Sequence, residues 1–171
     1  ELVFVGLILI YFFISPKIDI IFDDKFNNFW DDVYIKQFFI NITEIGDSLW
    51  FFLLSLLTYV LCYLFKDRVF KKYKNIYDKA QIGSLFLFFA IFITGIFTQI
   101  TKHIVGRPRP NHILEQGYFG FDFFNLSSAF HSFPSGHTST IFSVALTFSI
   151  FTPNIKYFYL CCASIIALSR I

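Results

Sequence analysis

The polar stretch HSFPSGHTST, at residues 131–140, combines residue types that can bind an anion and transfer a proton. It stands between a Phe-rich loop and a strongly apolar run, where a helix is expected to begin. A helix N-terminus presents unpaired backbone N–H groups and the positive end of the helix dipole, which attract anions. Ser135 can cap that helix or bind an anion, Gly136 lets a bulky ligand approach, and His137 can protonate a leaving group. An ordinary Ser-capped helix start followed by an interfacial His is the alternative interpretation.

A second polar stretch, TKHIVGRPRP at residues 101–110, contains three cations, Lys102, Arg107 and Arg109. Lys102 and Arg109 are seven residues apart, about two helical turns, so they share a helix face only if the helix continues past its prolines. Each cation alone would be interpreted as a side chain snorkelling at a helix end, and Arg107 is a third of this kind. Near the end of the sequence, Arg170 adds a fork-shaped donor. Together with a helix N-terminus, these are the donor types that phosphoryl transfer requires.

The segments that would position these residues are strongly apolar. The chain of 171 residues is 56% hydrophobic and 15% charged, whereas an ordinary soluble domain has about 25% charged residues. A bilayer crossing needs about 17–25 residues. Apolar segments lie at about 2–15, 49–65, 82–101, 138–152 and 157–171. They predict an all-α, polytopic membrane helix bundle with five spans in a single domain over residues 1–171. The absence of Met and the apolar residues at both ends lead us to expect a piece of a longer protein.

The charged loops predict the orientation in the membrane. Residues 66–79 carry six Lys or Arg, which places them in the cytoplasm by the positive-inside rule. Residues 16–48 and 102–137 then lie outside, so both polar stretches face the extracytoplasmic side. The sequence FNNFWDDVYIKQFF, at residues 26–39, suggests an interfacial helix with Trp30 and Tyr34 near the headgroups.

Several classes of function are disfavoured by the composition. A net charge of +2 without a Lys/Arg-rich arm gives no sign of nucleic-acid binding. The three cysteines lie in apolar runs without metal-type spacing, so no metal site is predicted. A transporter or channel subunit with an anion site would need ionisable residues at mid-membrane, and the spans offer Thr94, Thr98, Gln99 and scattered hydroxyls instead.

These motifs resemble those of the type 2 phosphatidic acid phosphatases, integral-membrane lipid phosphatases related to vanadium haloperoxidases. The family signature Lys-x6-Arg-Pro is complete at residues 102–110, and Pro-Ser-Gly-His is complete at residues 134–137. The third signature, Ser-Arg-x5-His-x3-Asp, begins at Ser169 and Arg170, and its His and Asp are not in this sequence. The sequence ITEIGDS, at residues 42–48, is similar to a stretch that family members carry before the second span.

The resemblance implies a role for each matching residue. The residues that would hold the phosphate are Lys102, Arg109, Ser135, Gly136 and Arg170. His137 would protonate the leaving group, and the absent His of the third signature would form a phosphohistidine intermediate. The mechanism needs no metal or cofactor, and vanadate would mimic the phosphoryl group. The remaining histidines, which we interpret as interfacial or loop residues, are His103, His112 and His131.

The implied reaction is hydrolysis of a lipid phosphomonoester or diphosphate at the outer face of a bacterial cytoplasmic membrane, and the implied full protein has six spans. Candidate substrates are phosphatidic acid, phosphatidylglycerol phosphate, undecaprenyl diphosphate and the phosphates of lipid A. Phosphotransfer on the same scaffold and an anion-binding transporter subunit are the alternatives. Residues 1–171 alone are expected to hydrolyse nothing, because they lack the nucleophile.

Overall fold

The computed structural model describes residues 33–66, 73–109 and 120–169. Its α-helices are α1 (Val33–Glu44), α2 (Ser48–Phe65), α3 (Lys74–Val105), α4 (Gly136–Phe151) and α5 (Lys156–Leu168). Short 3-10 helices cover Ser128–Phe130 and Pro153–Ile155. The described residues contain no β-strand, which confirms the all-α prediction.

Four of the five predicted apolar segments correspond to helices α2 to α5, and the segment at 2–15 lies outside the described residues. The predicted end of the fourth segment at Pro153 is confirmed, because α4 stops at Phe151. Of the helix predicted over 26–39, residues 33–39 are described and helical, and α1 continues beyond the predicted end to Glu44. Tyr34 on α1 is 87% exposed, and Trp30 is outside the described residues.

Two helical stretches of the described chain, Val33–Phe65 and Lys74–Val105, are long and apolar enough to cross a membrane. Only 11% and 17% of the residues in their most apolar windows are buried, respectively. The core helix of a soluble protein would bury most of that surface. These helices therefore fit a membrane protein. Five spans were predicted, and the structure supports two of them as candidates.

The chain divides into two compact units. We call Ile40–Ile100 together with Pro134–Arg170 the helical unit. We call the segment ending at Phe39, together with Thr101–Phe133, the loop unit.

Helix α4 has the central place in the core of the helical unit. Ile141 and Ala145 on α4 form one buried cluster with Ala163 and Ile166 on α5. Small alanines allow two helix backbones to approach closely, which membrane helices use in place of the hydrophobic effect. On its other side, Val144 packs with Leu87 and Ile91 of α3 in a second cluster.

Hydroxyl groups add polar contacts between α3 and α4. Thr98 donates a hydrogen bond to Ser139 over 3.1 Å, and the hydroxyls of Thr94 and Ser143 are also 3.1 Å apart. Ser139 and Ser143 in turn donate to backbone carbonyls four residues earlier on α4. The polar residues of this part of α3 therefore take part in helix packing.

Candidate active site

Helix α4 begins where the polar stretch predicts a helix start. Ser135 is the N-cap residue, and its hydroxyl accepts a hydrogen bond from the backbone N–H of Thr138 over 3.4 Å. Gly136 and His137 are the first two residues of the helix and are partly exposed. Their position places them at the positive end of the helix dipole, which attracts anions. The predicted Ser cap is confirmed.

The turn between α1 and α2 lies against His137. Gly46 in this turn is buried, and a Cβ atom added to it would lie 3.1 Å from His137 Cβ and 3.3 Å from His137 Cδ2. The next residue, Asp47, caps α2 by accepting a hydrogen bond from Leu49 N–H over 3.0 Å. Because Asp47 fixes the start of α2, the preceding Gly46 is held in place against the imidazole.

A cavity of about 130 Å³ adjoins this contact within the helical unit. His137 and Gly136 line it from the start of α4, and Asp47 lines it from the turn. Thr98 and Gln99 contribute polar side chains from α3. Polar groups therefore surround one side of the proposed proton donor.

The end of α1, just before this turn, contacts the end of α5. Ser169 directly follows α5, and its hydroxyl is hydrogen-bonded to the hydroxyl of Thr43 over 2.9 Å. Ser169 also donates to the carbonyl of Ile166 over 2.6 Å. Arg170 lies outside the described residues. Residues 43–47, which end α1 and form this turn, thus touch the first residue of the third signature as well as the last residue of the second.

In the loop unit, α3 ends through a left-handed glycine. Gly106 has a φ of +56°, and its N–H donates to the carbonyl of Lys102 over 3.0 Å. The Asp122 N–H then donates to the Gly106 carbonyl over 2.9 Å. A Cβ atom on residue 106 would lie 1.6 Å from the Asp122 carbonyl oxygen, so only glycine fits here.

The residues after Gly106 run beside the loop that precedes α4. Arg107 forms an isolated parallel bridge with His131, and its carbonyl accepts from Ser132 N–H over 3.1 Å. The Arg109 N–H donates to the Ala129 carbonyl over 2.8 Å. These bonds fix the backbone position of Arg109. Arg109 itself is exposed.

A comparison with protein families matches residues 83–171 to the PAP2 superfamily. The chain belongs to this superfamily. The match contains both complete signatures and the start of the third. The predicted resemblance to the type 2 phosphatidic acid phosphatases, whose signatures these are, is therefore confirmed.

Two curated relatives carry the name lipid A 1-phosphatase. The one from Rhizobium johnstonii is 33% identical over 137 residues, which cover 76% of this chain and 54% of the relative. The one from Rhizobium etli is 31% identical over 137 residues, covering 76% of this chain and 56% of the relative. The chain thus spans about half the length of these relatives. No solved structure matches it significantly.

The described PAP2 signature residues are divided between the two units. Ser135, Gly136 and His137 share the N-terminus of α4 in the helical unit. Lys102 and Arg109 both belong to the loop unit, but α3 stops at Val105, so they do not share a helix face. The termination of α3 before its prolines is as predicted. A single phosphate site that combines all these residues stays a prediction.

The interpretation of Arg107 as a snorkelling cation at a helix end is wrong. Arg107 is only 9% exposed, because Gly106 turns the chain so that Arg107 runs beside His131. His131 is a loop residue, as expected, and its Nε2 lies 3.0 Å from the Asn125 carbonyl. Its ring centroid is 4.4 Å from that of His103, which is in the last turn of α3. His112 is outside the described residues.

Sequence reasoning assigned no role to the residues that contact the start of α4 and the end of α5. The stretch 42–48 stands out in the sequence for its family resemblance alone, although Gly46 within it lies against His137 and Thr43 is hydrogen-bonded to Ser169. Hydroxyl residues repeat every four positions at 135, 139, 143 and 147. This four-residue repeat indicates a polar stripe along α4. Two of its residues, Ser139 and Ser143, are the ones that Thr98 and Thr94 contact.

Proposed function

We propose that this PAP2 protein is a lipid phosphatase. The observation that carries the proposal is the Pro-Ser-Gly-His signature at a capped helix start, where His137 is partly exposed and lines a cavity together with several polar side chains. A helix N-terminus favours a bound anion, and a partly exposed imidazole can deliver a proton to it. Membership in the superfamily supports phosphate as that anion.

The proposed substrate is a lipid whose phosphate is esterified to a sugar or glycerol, or is part of a diphosphate. Because both curated relatives are named lipid A 1-phosphatase, the 1-phosphate of lipid A is the first substrate to test. Phosphatidic acid, phosphatidylglycerol phosphate and undecaprenyl diphosphate complete the panel. The protein would act in a bacterial cytoplasmic membrane with its site facing outward.

The proposed mechanism is carried over from the family signatures. The His nucleophile of the third signature attacks phosphorus, the bond to the leaving oxygen breaks, and His137 gives its proton to that oxygen. Water then hydrolyses the phosphohistidine and releases phosphate. No metal or cofactor takes part, and residues 1–171 alone, which lack that nucleophile, would release no phosphate. The residues proposed to bind the phosphate are Lys102, Arg109, Ser135, Gly136 and Arg170.

The test is phosphate release by the full-length protein in detergent micelles with a chelator present. We expect release from at least one lipid of the panel, and losses of about 100-fold or more in His137→Ala and Arg109→Ala. Lys156→Ala is the matched control, because it removes an exposed cation at the start of α5. The proposal fails if the parent releases no phosphate from any lipid, or if both variants keep full activity. Phosphate appearing on a second lipid would establish phosphotransfer instead.

A further inference from the structure

Residues 43–47, which end α1 and form the turn before α2, touch two of the three signatures and have no assigned role. Gly46 lies so near His137, which ends the second signature, that an added Cβ would be 3.1 Å from the His137 Cβ. Thr43 is hydrogen-bonded to Ser169, which begins the third. All four residues belong to the helical unit. A segment that contacts both the proposed proton donor and the residue before Arg170 is suited to setting their positions.

Position 46 requires glycine because a side chain would not fit there, and not because the backbone adopts a conformation that only glycine favours. Its φ lies outside the left-handed region, so an alanine could adopt the same backbone. The added methyl would lie 3.1 Å from His137 Cβ, 3.3 Å from His137 Cδ2 and 3.2 Å from the Thr43 carbonyl oxygen. Contacts this close require a neighbour to move by a few tenths of an ångström. Because two of the three atoms belong to the His137 side chain, and one of them is in its imidazole ring, that side chain is the group most directly displaced.

We propose that Gly46 is a positioning residue for His137, and that the turn from Thr43 to Asp47 sets the place from which His137 delivers its proton. This inference rests on the proposed function and extends it to a segment outside the three signatures. Proton transfer depends steeply on distance, because donor and acceptor must approach within about 2.6–3.2 Å. A small displacement of the ring therefore lowers the rate without unfolding the protein.

The kinetic test uses Gly46→Ala, His137→Ala and the double variant of the full-length protein. Two substrates are compared, a lipid phosphate with an alkoxide leaving group and an aryl phosphate whose leaving group needs no proton. We expect Gly46→Ala to lower kcat about tenfold on the lipid phosphate and less than about twofold on the aryl phosphate. In the His137→Ala background, Gly46→Ala should change neither rate further.

Gly95→Ala is the matched control. Gly95 borders the same cavity from α3, and a Cβ atom there meets nothing within 4 Å. We therefore expect it to keep the parent's rates on both substrates. The positioning role is overturned if Gly46→Ala loses rate equally on both substrates, loses nothing, or loses as much without His137 as with it.

A second readout separates failure of this inference from failure of the proposed function. The imidazole NMR signals of histidine-labelled protein identify His137 by its disappearance in His137→Ala. We expect Gly46→Ala to shift the His137 signal and Gly95→Ala to leave it in place, whether or not phosphate is released. An unmoved signal in Gly46→Ala overturns the positioning role. If the parent hydrolyses no lipid but the signal still shifts in Gly46→Ala, the contact is retained and the phosphatase function is rejected.

Discussion

The hydroxyls of Thr43 and Ser169 form a 2.9 Å hydrogen bond although 126 positions separate the two residues. Thr43 lies in the last turn of α1, and Ser169 directly follows the last turn of α5. The bond ties the end of α5 to the turn that also carries Gly46. Arg170, a proposed phosphate ligand, directly follows Ser169 in the sequence, so this bond lies next to the start of the third signature.

Replacing Thr43 by Val should weaken the attachment of α5. Val keeps the shape of Thr and removes the hydroxyl, so we expect the free energy of unfolding to fall by about 1 kcal/mol. Inhibition by vanadate should also weaken, because Arg170 loses part of its support. Thermal unfolding and vanadate inhibition of the full-length protein in detergent measure both effects. Thr43→Ser retains the hydroxyl and is the control, and equal behaviour of the two variants would contradict the prediction.

Replacing Gly106 by Ala should disrupt the loop unit. The left-handed conformation alone costs a residue with a side chain about 1–2 kcal/mol, and the added Cβ would overlap the Asp122 carbonyl. Asn tolerates left-handed backbone but has the same Cβ, so Gly106→Asn should be as unstable as Gly106→Ala. Thermal unfolding in detergent measures the loss. Gly95→Ala, placed in open space in α3, should be neutral or stabilising by up to about 1 kcal/mol. An Asn variant as stable as the parent would show that the contact with Asp122 is absent.

The ends of helices could be predicted because the determining residues are adjacent in sequence. Ser135 followed by Gly136 signals the start of α4, and Gly106 followed by prolines signals the end of α3. Each signal acts through hydrogen bonds or dihedral angles of a few neighbouring residues. The same reasoning could not show that Arg107 is buried, because its burial depends on the distant strand-like pairing with His131.

The contacts around His137 could not be derived from periodicity or motif spacing. Gly46 is separated from His137 by helices α2 and α3, and glycine in a turn is normally explained by backbone conformation. Here its φ is ordinary, and the requirement for glycine arises from the imidazole packed against it. Such a requirement becomes visible only when the tertiary arrangement of α1, α2 and α4 is known.

The hydrogen bond between Thr98 and Ser139 should contribute to the packing of α3 on α4. Side-chain hydrogen bonds between membrane helices are worth about 0.6 kcal/mol on average and at most about 1.7 kcal/mol. We expect the double-mutant cycle of Thr98→Val and Ser139→Ala to give a coupling energy in this range. Thr58→Val is the control, because Thr58 donates only within its own helix, to the Leu54 carbonyl over 2.7 Å. Additive losses at Thr98 and Ser139 would show that the bond does not form.

Vanadate should inhibit phosphate release, whereas chelators should not. A trigonal-bipyramidal vanadate resembles the phosphoryl group in transfer and would occupy the proposed anion site at the start of α4. Inhibition constants measured for the parent and for Arg109→Ala test this, with Lys156→Ala as the control for loss of a cation. We expect at least about tenfold weaker inhibition in Arg109→Ala and no change in Lys156→Ala. Loss of activity in chelator, restored by added divalent metal, would contradict the proposed mechanism.

The two ends of α3 should lie on opposite sides of the membrane. With 32 residues, α3 is about 48 Å long, which exceeds the hydrocarbon thickness of a bilayer, about 30 Å. The Lys-rich segment before α3 predicts a cytoplasmic N-terminus, so the loop at 120–133 should be outside. Single cysteines are placed at Lys74, which begins α3, and at Leu126, which is 80% exposed.

This labelling uses the full-length protein with its other cysteines replaced by alanine, in spheroplasts. A membrane-impermeant maleimide should label Leu126→Cys in intact spheroplasts and Lys74→Cys only after permeabilisation. The opposite pattern would place the Pro-Ser-Gly-His signature on the cytoplasmic side. In that case lipids of the outer leaflet could not reach His137, and the substrate would have to be a lipid phosphate of the inner leaflet.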